Sequence, residues 1–183
     1  RSNSQDDILI IAQDIAHGLR FLHSADLIHG DLKAKNVLLD SNFRAKLSDF
    51  GLMSSKVQEE GARGTPYWMA PELLSSQSAN STESDIYAFG ILLYELYARK
   101  NPYEGEVYED VLRSVCDPSI SKRPPIPTLC PPNVAALMKD CLQHDPENRP
   151  TAKEVDLVLQ AEGTVQGRVF RIAALNRELL ETN

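Results

Sequence analysis

A short stretch of the sequence concentrates side chains that could bind a metal ion and move a proton. Asp31 and Asp49 offer carboxylates, Asn36 offers an amide oxygen and Lys33 offers a cation. Carboxylate and amide oxygens are the hard donors that Mg²⁺ requires. Taken singly, an Asp or Asn in such a segment usually makes a turn or a cap. The chemical interpretation therefore depends on the sequence that surrounds these four residues.

Five sequence blocks enclose them in a fixed order. The blocks are HGDLKAKNVLL at 29–39, SDFGL at 48–52, GTPYWMAPE at 64–72, SDIYAFG at 84–90 and DPENRP at 145–150. In this order and at these intervals they resemble the catalytic lobe of the eukaryotic protein kinases. A lone DFG would be weak evidence, but five ordered blocks make coincidence negligible. The resemblance extends to about residue 163.

The resemblance implies a part in phosphoryl transfer for each of the four side chains. The transferred group spreads negative charge over its oxygens, so catalysis is mostly positioning and charge neutralisation. Asp31 matches the family's catalytic base, and Lys33 would place a cation beside the transferring phosphate. Asn36 and Asp49 match the metal ligands that hold two ions on the phosphate chain. ATP and Mg²⁺, with Mn²⁺ as an alternative, are therefore the expected cofactors.

Other matches imply contacts with the nucleotide and between lobes. Thr65 lies where the family uses a hydroxyl to tie the activation segment to the base and the lysine. Leu38 resembles the residue beneath the adenine ring, so it joins Lys33 among the expected nucleotide-binding residues. His29 and Phe50 resemble the two residues through which this lobe joins the hydrophobic spine that aligns the lobes.

Three charged residues match anchors of the fold. The resemblance implies that Glu72 and Arg149 form a buried ion pair that holds the activation segment. Asp85, at the start of a predicted helix, matches the residue that holds the backbone of the catalytic loop.

The subgroup is indicated by the activation segment, and one position departs from the family. The block GTPYWMAPE resembles the tyrosine-kinase-like group, which is mostly Ser/Thr-specific. The family usually has Arg between its catalytic-loop His and Asp, where this chain has Gly30. That Arg pairs with a phosphate on the activation segment. Without it, we expect that phosphorylating Ser54 or Ser55 does not switch the enzyme on. Arg63 or Lys56 could take its place.

Gly30 also leaves a second resemblance open. HGDLKAKNVLLD and DIYAFGILLYEL, with the C-terminal segment, are similar to the kinase homology domain of receptor guanylate cyclases. There the kinase-like module is regulatory, and a helical linker passes its state to a cyclase. Those domains usually lack the catalytic Asp, whereas this chain has Asp31, Asn36 and Asp49. The two interpretations are compatible, because a competent kinase could precede a cyclase.

The elements that must position these residues predict a mainly α fold with short β hairpins. Apolar spacing and capping signals predict helices at about 6–23, 83–99, 107–116, 131–143 and 151–163. The helix at 83–99 is apolar nearly all round, so it is expected at the domain centre. Short apolar runs between residues 27 and 52 predict strands, and the polar stretch 53–66 predicts an exposed loop.

Two parts of the chain are expected: a kinase C-lobe over residues 1–163 and a helical extension over 164–183. In the extension, Val169, Ile172, Asn176 and Leu179 alternate at three and four residues. Fewer than two heptads are present, whereas a coiled coil needs three or four. The extension could therefore begin a coiled-coil linker and a dimerisation surface, or be a terminal helix packed on the domain.

The segments that clamp ATP in the family are expected to precede residue 1. The sequence has no Gly-rich phosphate loop, no strand with a VAIK-type lysine and no helix with its Glu partner. We therefore expect a C-lobe with the N-lobe absent, which alone would bind ATP poorly because one wall of a two-walled cleft is missing. A protein substrate and the N-lobe of the full-length chain are the expected partners.

Composition limits the remaining classes of function. The 183 residues carry a net charge of −7, which gives no sign of a nucleic-acid surface. No stretch approaches the ~18 apolar residues of a membrane span. Three cysteines without a CxxC pair favour reduced thiols in a cytosol-like compartment. A cytoplasmic location is expected, or the cytoplasmic side of a membrane if the full-length protein is a receptor.

Overall fold

The computed structural model of the protein describes residues 5–55, 64–76 and 78–164. The helices are α1 (Gln5–Ser24), α2 (Pro71–Ser76), α3 (Thr82–Ala98), α4 (Tyr108–Cys116), α5 (Pro132–Cys141) and α6 (152–164). The strands are β1 (Leu27–Ile28), β2 (Val37–Leu39), β3 (Ala45–Leu47) and β4 (Ser54–Ser55). Single 3₁₀ turns lie at Ala34–Asn36, Phe50–Leu52, Pro66–Trp68 and Pro146–Asn148. The described part is mostly helical, as predicted.

The central helix is α3, as its apolar sequence predicted. It begins at a capping box in which Ser81 and Ser84 exchange side-chain and backbone hydrogen bonds, and it ends at Arg99 in the left-handed conformation. Gly90 lets α5 come close, since a Cβ there would lie 2.9 Å from Cys141 Cβ and from the Leu142 side chain. Apolar residues of α3 are therefore buried on several sides, which fixes the helix as the support for the loops around it.

The β2–β3 hairpin lies against α1. Val37 pairs with Leu47 and Leu39 with Ala45 in antiparallel register. The Asp14 carboxylate of α1 accepts a hydrogen bond from the Ala45 N–H at 2.9 Å and also binds the Arg44 guanidinium. The hairpin is thereby fixed to a helix whose opposite face packs in the core, and the segments on either side of it are the ones that carry the polar site residues.

The second sheet corrects the prediction for residues 53–66. Instead of a continuous exposed loop, β4 pairs antiparallel with β1, with Ile28 opposite Ser54. Pro66–Trp68 then forms a 3₁₀ turn, while residues 56–63 lie outside the described part. Composition could not show this, because the partner of β4 is distant in the sequence. The β1–β4 ladder is accordingly not a hairpin, whereas β2–β3 is.

The C-terminal end of the described part begins as predicted. Thr151 and Glu154 form the expected capping box, with the Thr151 N–H 2.7 Å from Glu154 Oε2 and the Glu154 N–H 3.3 Å from Thr151 Oγ1. Helix α6 follows to residue 164. The heptad-like pattern at 169–179 lies outside the described residues. No helix in the described ranges has both the length and the apolar content needed to cross a bilayer.

Candidate active site

The loop after β1 is held by a carboxylate in the first turn of α3. Asp85 is 1% exposed, and a buried carboxylate must be given hydrogen-bond donors. Its Oδ2 accepts from the His29 N–H at 2.8 Å and lies 2.9 Å from His23 Nε2, while its Oδ1 accepts from the Gly30 N–H at 2.9 Å. The path of the loop is therefore set by the central helix. This agrees with the anchoring part expected for Asp85.

The Asp31 carboxylate contacts side chains from two segments, the loop after β1 and the segment that contains Thr65. Thr65 Oγ1 donates to Asp31 Oδ1 at 2.8 Å. Lys33 Nζ lies 2.7 Å from Asp31 Oδ2 and 2.5 Å from Thr65 Oγ1. Asn36 Nδ2 donates to Asp31 Oδ2 at 3.1 Å and to the Asp31 backbone oxygen at 2.8 Å. Four of the five predicted catalytic residues, Asp31 itself with Lys33, Asn36 and Thr65, thus meet at one carboxylate.

These contacts keep Asp31 ionised. Burial alone would raise the pKa of this carboxyl, but the hydrogen bonds from Lys33, Thr65 and Asn36, together with the charge of Lys33, outweigh it and lower the pKa below its usual value. A lowered pKa means that the carboxylate can receive a proton at neutral pH rather than already carrying one.

His29 orients the Asp31 backbone and contacts Phe50. Its Nδ1 accepts a hydrogen bond from the Asp31 N–H at 3.3 Å, and its Nε2 lies 3.1 Å from the Ser48 backbone oxygen. These two contacts identify Nε2 as the protonated nitrogen. The His29 and Phe50 ring centroids are 5.7 Å apart. His29 is buried whereas Phe50 is 47% exposed, so the pair runs from the core to the surface.

Asn36 and Asp49 are brought near one another by Ser48. The Ser48 N–H and its Oγ each donate to the Asn36 backbone oxygen at 2.9 Å. Asp49 follows directly, with a positive φ of 61°. Gly51 leaves room beside it, since a Cβ there would lie 3.3 Å from Asp49 Oδ1. The Asn36 amide nitrogen is turned to Asp31, so its Oδ1 is the atom available to a cation.

The donor set fits a magnesium ion carried by a polyphosphate. Within the described ranges, no group of three or more His, Cys, Asp or Glu side chains could hold a metal unaided. One amide oxygen from Asn36 and one carboxylate from Asp49 are instead the small ligand set that Mg²⁺ accepts when phosphates and waters complete its shell. Leu38, the predicted adenine contact, lies on β2 and is 59% exposed.

Glu95 links the two sides of the site and was not predicted. Its Oε2 accepts from the Ala34 N–H at 3.0 Å and from Trp68 Nε1 at 2.7 Å. Burial raises the pKa of this carboxyl, although both hydrogen bonds and the charge of Lys33 oppose the change. It therefore ties the catalytic loop to the segment after Thr65. The available signal is that Glu95 is the one acid beyond the first turn of an otherwise apolar helix.

Glu72 and Arg149 form the expected ion pair. Arg149 Nη1 lies 2.7 Å from Glu72 Oε1 and Nη2 lies 2.8 Å from Oε2, which is bidentate geometry. The arginine side chain is fully buried and that of Glu72 is 22% exposed. Further hydrogen bonds run from Arg149 to the backbone oxygens of Glu83, Gln143 and His144. The pair joins α2 to the turn before α6.

Comparison with known proteins identifies the family. Residues 1–159 match the model of the protein tyrosine and serine/threonine kinases, so the chain belongs to this family. It is 38% identical over 156 residues to a probable serine/threonine-protein kinase of Dictyostelium discoideum. It is 37% identical over 151 residues to the dual specificity protein kinase shkD of the same organism. It is 36% identical over 162 residues to the serine/threonine/tyrosine-protein kinase HT1 of Arabidopsis thaliana.

The matches cover most of this chain but little of the relatives. The three alignments span 83%, 79% and 87% of the chain, against 9%, 20% and 41% of the respective relatives. The chain therefore corresponds to one part of each of these larger proteins.

Replacing Glu72 with Gln should destabilise the protein because Arg149 would stay charged and buried without its counter-ion. We expect the free energy of unfolding to fall by about 3 kcal/mol, the lower end for breaking a buried ion pair, since the amide oxygen can still accept one hydrogen bond. Urea denaturation of the purified protein measures this.

The matched control is Asp110→Asn. Asp110 and Arg113 form an exposed pair 3.8 Å apart on α4, so this substitution should cost less than about 1 kcal/mol. Equal losses in the two variants would contradict an anchoring part for Glu72.

Proposed function

We propose that the chain is the catalytic lobe of a protein kinase that transfers the γ-phosphate of ATP to Ser or Thr hydroxyls of protein substrates. The observation that carries the proposal is that the Asp31 carboxylate accepts hydrogen bonds from Lys33, Thr65 and Asn36 together. A carboxylate with a lowered pKa beside a lysine cation suits a reaction that needs a proton acceptor and charge neutralisation at one place.

The proposed mechanism assigns each side chain one task. Asp31 orients the substrate hydroxyl and takes up its proton as the hydroxyl oxygen bonds to the γ-phosphorus and the bond to the departing ADP breaks. Lys33 neutralises charge on the transferring phosphoryl group. Asn36 and Asp49 would hold Mg²⁺, which would polarise the phosphate oxygens and offset their charge when ATP is bound. Thr65 holds Asp31 in place from the activation-segment side.

Preference for Ser and Thr over Tyr rests on two supports. Lys33 lies where the catalytic loop of Ser/Thr-type kinases has its lysine, and Thr65 completes the contact with it. The relatives named above include a serine/threonine kinase and kinases of dual or mixed specificity. The substrate class is therefore a protein hydroxyl, with Ser and Thr preferred. The cytoplasmic location stays a prediction.

We also propose that this lobe works with a kinase N-lobe, which would cover the face where Phe50 and Leu38 are exposed. Phe21 on α1 is 69% exposed, and beside it a groove of about 740 Å³ runs between α1, the β2–β3 hairpin and α6. An exposed aromatic ring that borders such a groove is typical of a surface that packs against another domain. The nucleotide would then lie between this face and the second lobe.

The alternative is a regulatory kinase-like module that acts through its C-terminal helix on a downstream effector such as a guanylate cyclase. Gly30, in place of the usual Arg, favours it. The complete set of Asp31, Lys33, Asn36 and Asp49 favours catalysis. The predicted extension that would carry the signal or form a dimer lies outside the described residues.

Substituting Asp31 by Asn in the full-length protein should lower the rate of phosphoryl transfer by a factor on the order of 10²–10⁴, the usual share of a general base. The change removes a negative charge and leaves the side-chain shape nearly intact. Incorporation of labelled phosphate into a generic protein substrate measures the rate, and Asp140→Asn on the exposed side of α5 is the control. An Asp31→Asn enzyme as fast as the wild type would refute the proposed function.

The chain of residues 1–183 alone should bind Mg-ATP weakly, because only one wall of the proposed cleft belongs to it. Isothermal titration calorimetry is expected to give no saturable binding at micromolar nucleotide, and adding the second lobe should restore it. A micromolar dissociation constant for this chain alone would show that the second lobe is not needed to hold the nucleotide.

A further inference from the structure

The peptide unit between Gly30 and Asp31 is held at both of its polar ends. Its oxygen, on Gly30, accepts a hydrogen bond from Asn80 Nδ2 at 3.1 Å. Its N–H, on Asp31, donates to His29 Nδ1 at 3.3 Å. The plane of this peptide sets the direction in which the Asp31 side chain leaves the backbone. Rotating it would therefore carry the carboxylate away from Lys33 and Thr65.

The close approach of Asn80 depends on a glycine. Gly30 has a φ of 82°, in the region that side chains disfavour. A Cβ at this position would lie 3.0 Å from the Leu52 backbone oxygen and 3.3 Å from Asn80 Nδ2. A larger residue would thus push against both neighbours. Where the family has Arg, this chain has Gly30, which lets the Asn80 amide reach the backbone.

The activation segment contacts the same carbonyl from another direction. Gly64 has a φ of 134°, and a Cβ there would lie 3.0 Å from the Gly30 oxygen. Thr65, the next residue, donates to Asp31. The Gly30 carbonyl therefore lies close both to Asn80 and to the segment that supplies Thr65. Any movement of this carbonyl would disturb the contact between the two loops.

Asn80 is itself placed by the start of the central helix. It precedes Ser81, which is held by two hydrogen bonds. The Ser81 backbone N–H donates to Ser84 Oγ at 2.9 Å, and Ser81 Oγ accepts from the Ser84 N–H at 3.1 Å. One turn further, Asp85 holds the Gly30 N–H. Both polar groups of Gly30 are accordingly bound by side chains at the N-terminal end of α3: Asn80, just before the N-cap Ser81, on the oxygen and Asp85, in the first turn, on the nitrogen.

We propose that Asn80 is a positioning residue for Asp31: through the Gly30 carbonyl it fixes the peptide plane that aims the carboxylate at the substrate hydroxyl. The inference rests on the proposed function. In the wider family a phosphate on the activation segment can be engaged by the Arg of this loop. Here the loop is oriented by a neutral amide, which needs no phosphorylation.

The test compares Asn80→Ala and Asn80→Asp in the full-length protein, with Asn42→Ala and Asn42→Asp as matched controls. Asn42 lies exposed in the β2–β3 turn, where its backbone N–H bonds the Asp40 carboxylate. We expect the rate of phosphoryl transfer at saturating substrates to fall about three- to tenfold in Asn80→Ala, the effect of one neutral hydrogen bond. Asn80→Asp should lose more, because a carboxylate would face the Gly30 oxygen.

Three readouts separate positioning from folding. The KM for ATP and the melting temperature should stay close to wild type in Asn80→Ala, while Asn80→Gln should recover part of the rate by supplying a donor again. Wild-type rates in both Asn80→Ala and Asn80→Asp would overturn the inference. So would a loss of rate matched by an equal loss of folded protein. If Asp31→Asn is inactive in the same assay, such a failure concerns Asn80 alone and leaves the proposed function standing.

Discussion

A carboxylate that is removed from water needs hydrogen-bond donors from the protein, and the candidate site supplies these donors to Asp31. Its two oxygens accept hydrogen bonds from Thr65 on the activation segment and from Lys33 and Asn36 on the catalytic loop. None of these segments is a long helix or strand, so their mutual placement depends on these polar contacts. The Asp31 carboxylate, together with Glu95, which accepts from the Ala34 N–H and from Trp68 Nε1, holds the two loops together.

A second carboxylate, which unlike the partly buried Asp31 is fully buried, connects the packed core to this point. Asp85 belongs to α3, whose apolar side chains are buried on several sides, and it binds the backbone N–H groups of His29 and Gly30. The order of dependence therefore runs from core packing to Asp85, to the loop backbone, and then to Asp31. For Asp31 the folded-state pKa is lowered, so its contribution to stability is present at neutral pH and is lost as the pH falls through that pKa.

The sequence predicted each described helix except the short α2, and the resemblance predicted the contact of Thr65 with Asp31 and Lys33, for physical reasons that differ. Helix α3 followed from its continuous apolar character, and the α6 capping box from Thr151 and Glu154. The meeting of Asp31 with Thr65 followed from resemblance, because a contact across 34 positions leaves no local signal. The same limit explains why composition predicts a loop where β4 lies and why the sequence pattern alone does not predict the contacts of Asn80 and Glu95. Each of these depends on a distant partner.

The most direct test of this account is the ionisation of Asp31 itself. Carbon-detected NMR of the Asp31 carboxyl, followed as the pH is lowered from neutral, should show a protonation midpoint below the usual Asp value, because the pKa of this carboxyl is lowered. In Lys33→Met the midpoint should move to higher pH, since a donor and a positive charge are lost. A wild-type Asp31 carboxyl with a midpoint at or above the usual Asp pKa would contradict the account. So would a midpoint that is unchanged in Lys33→Met.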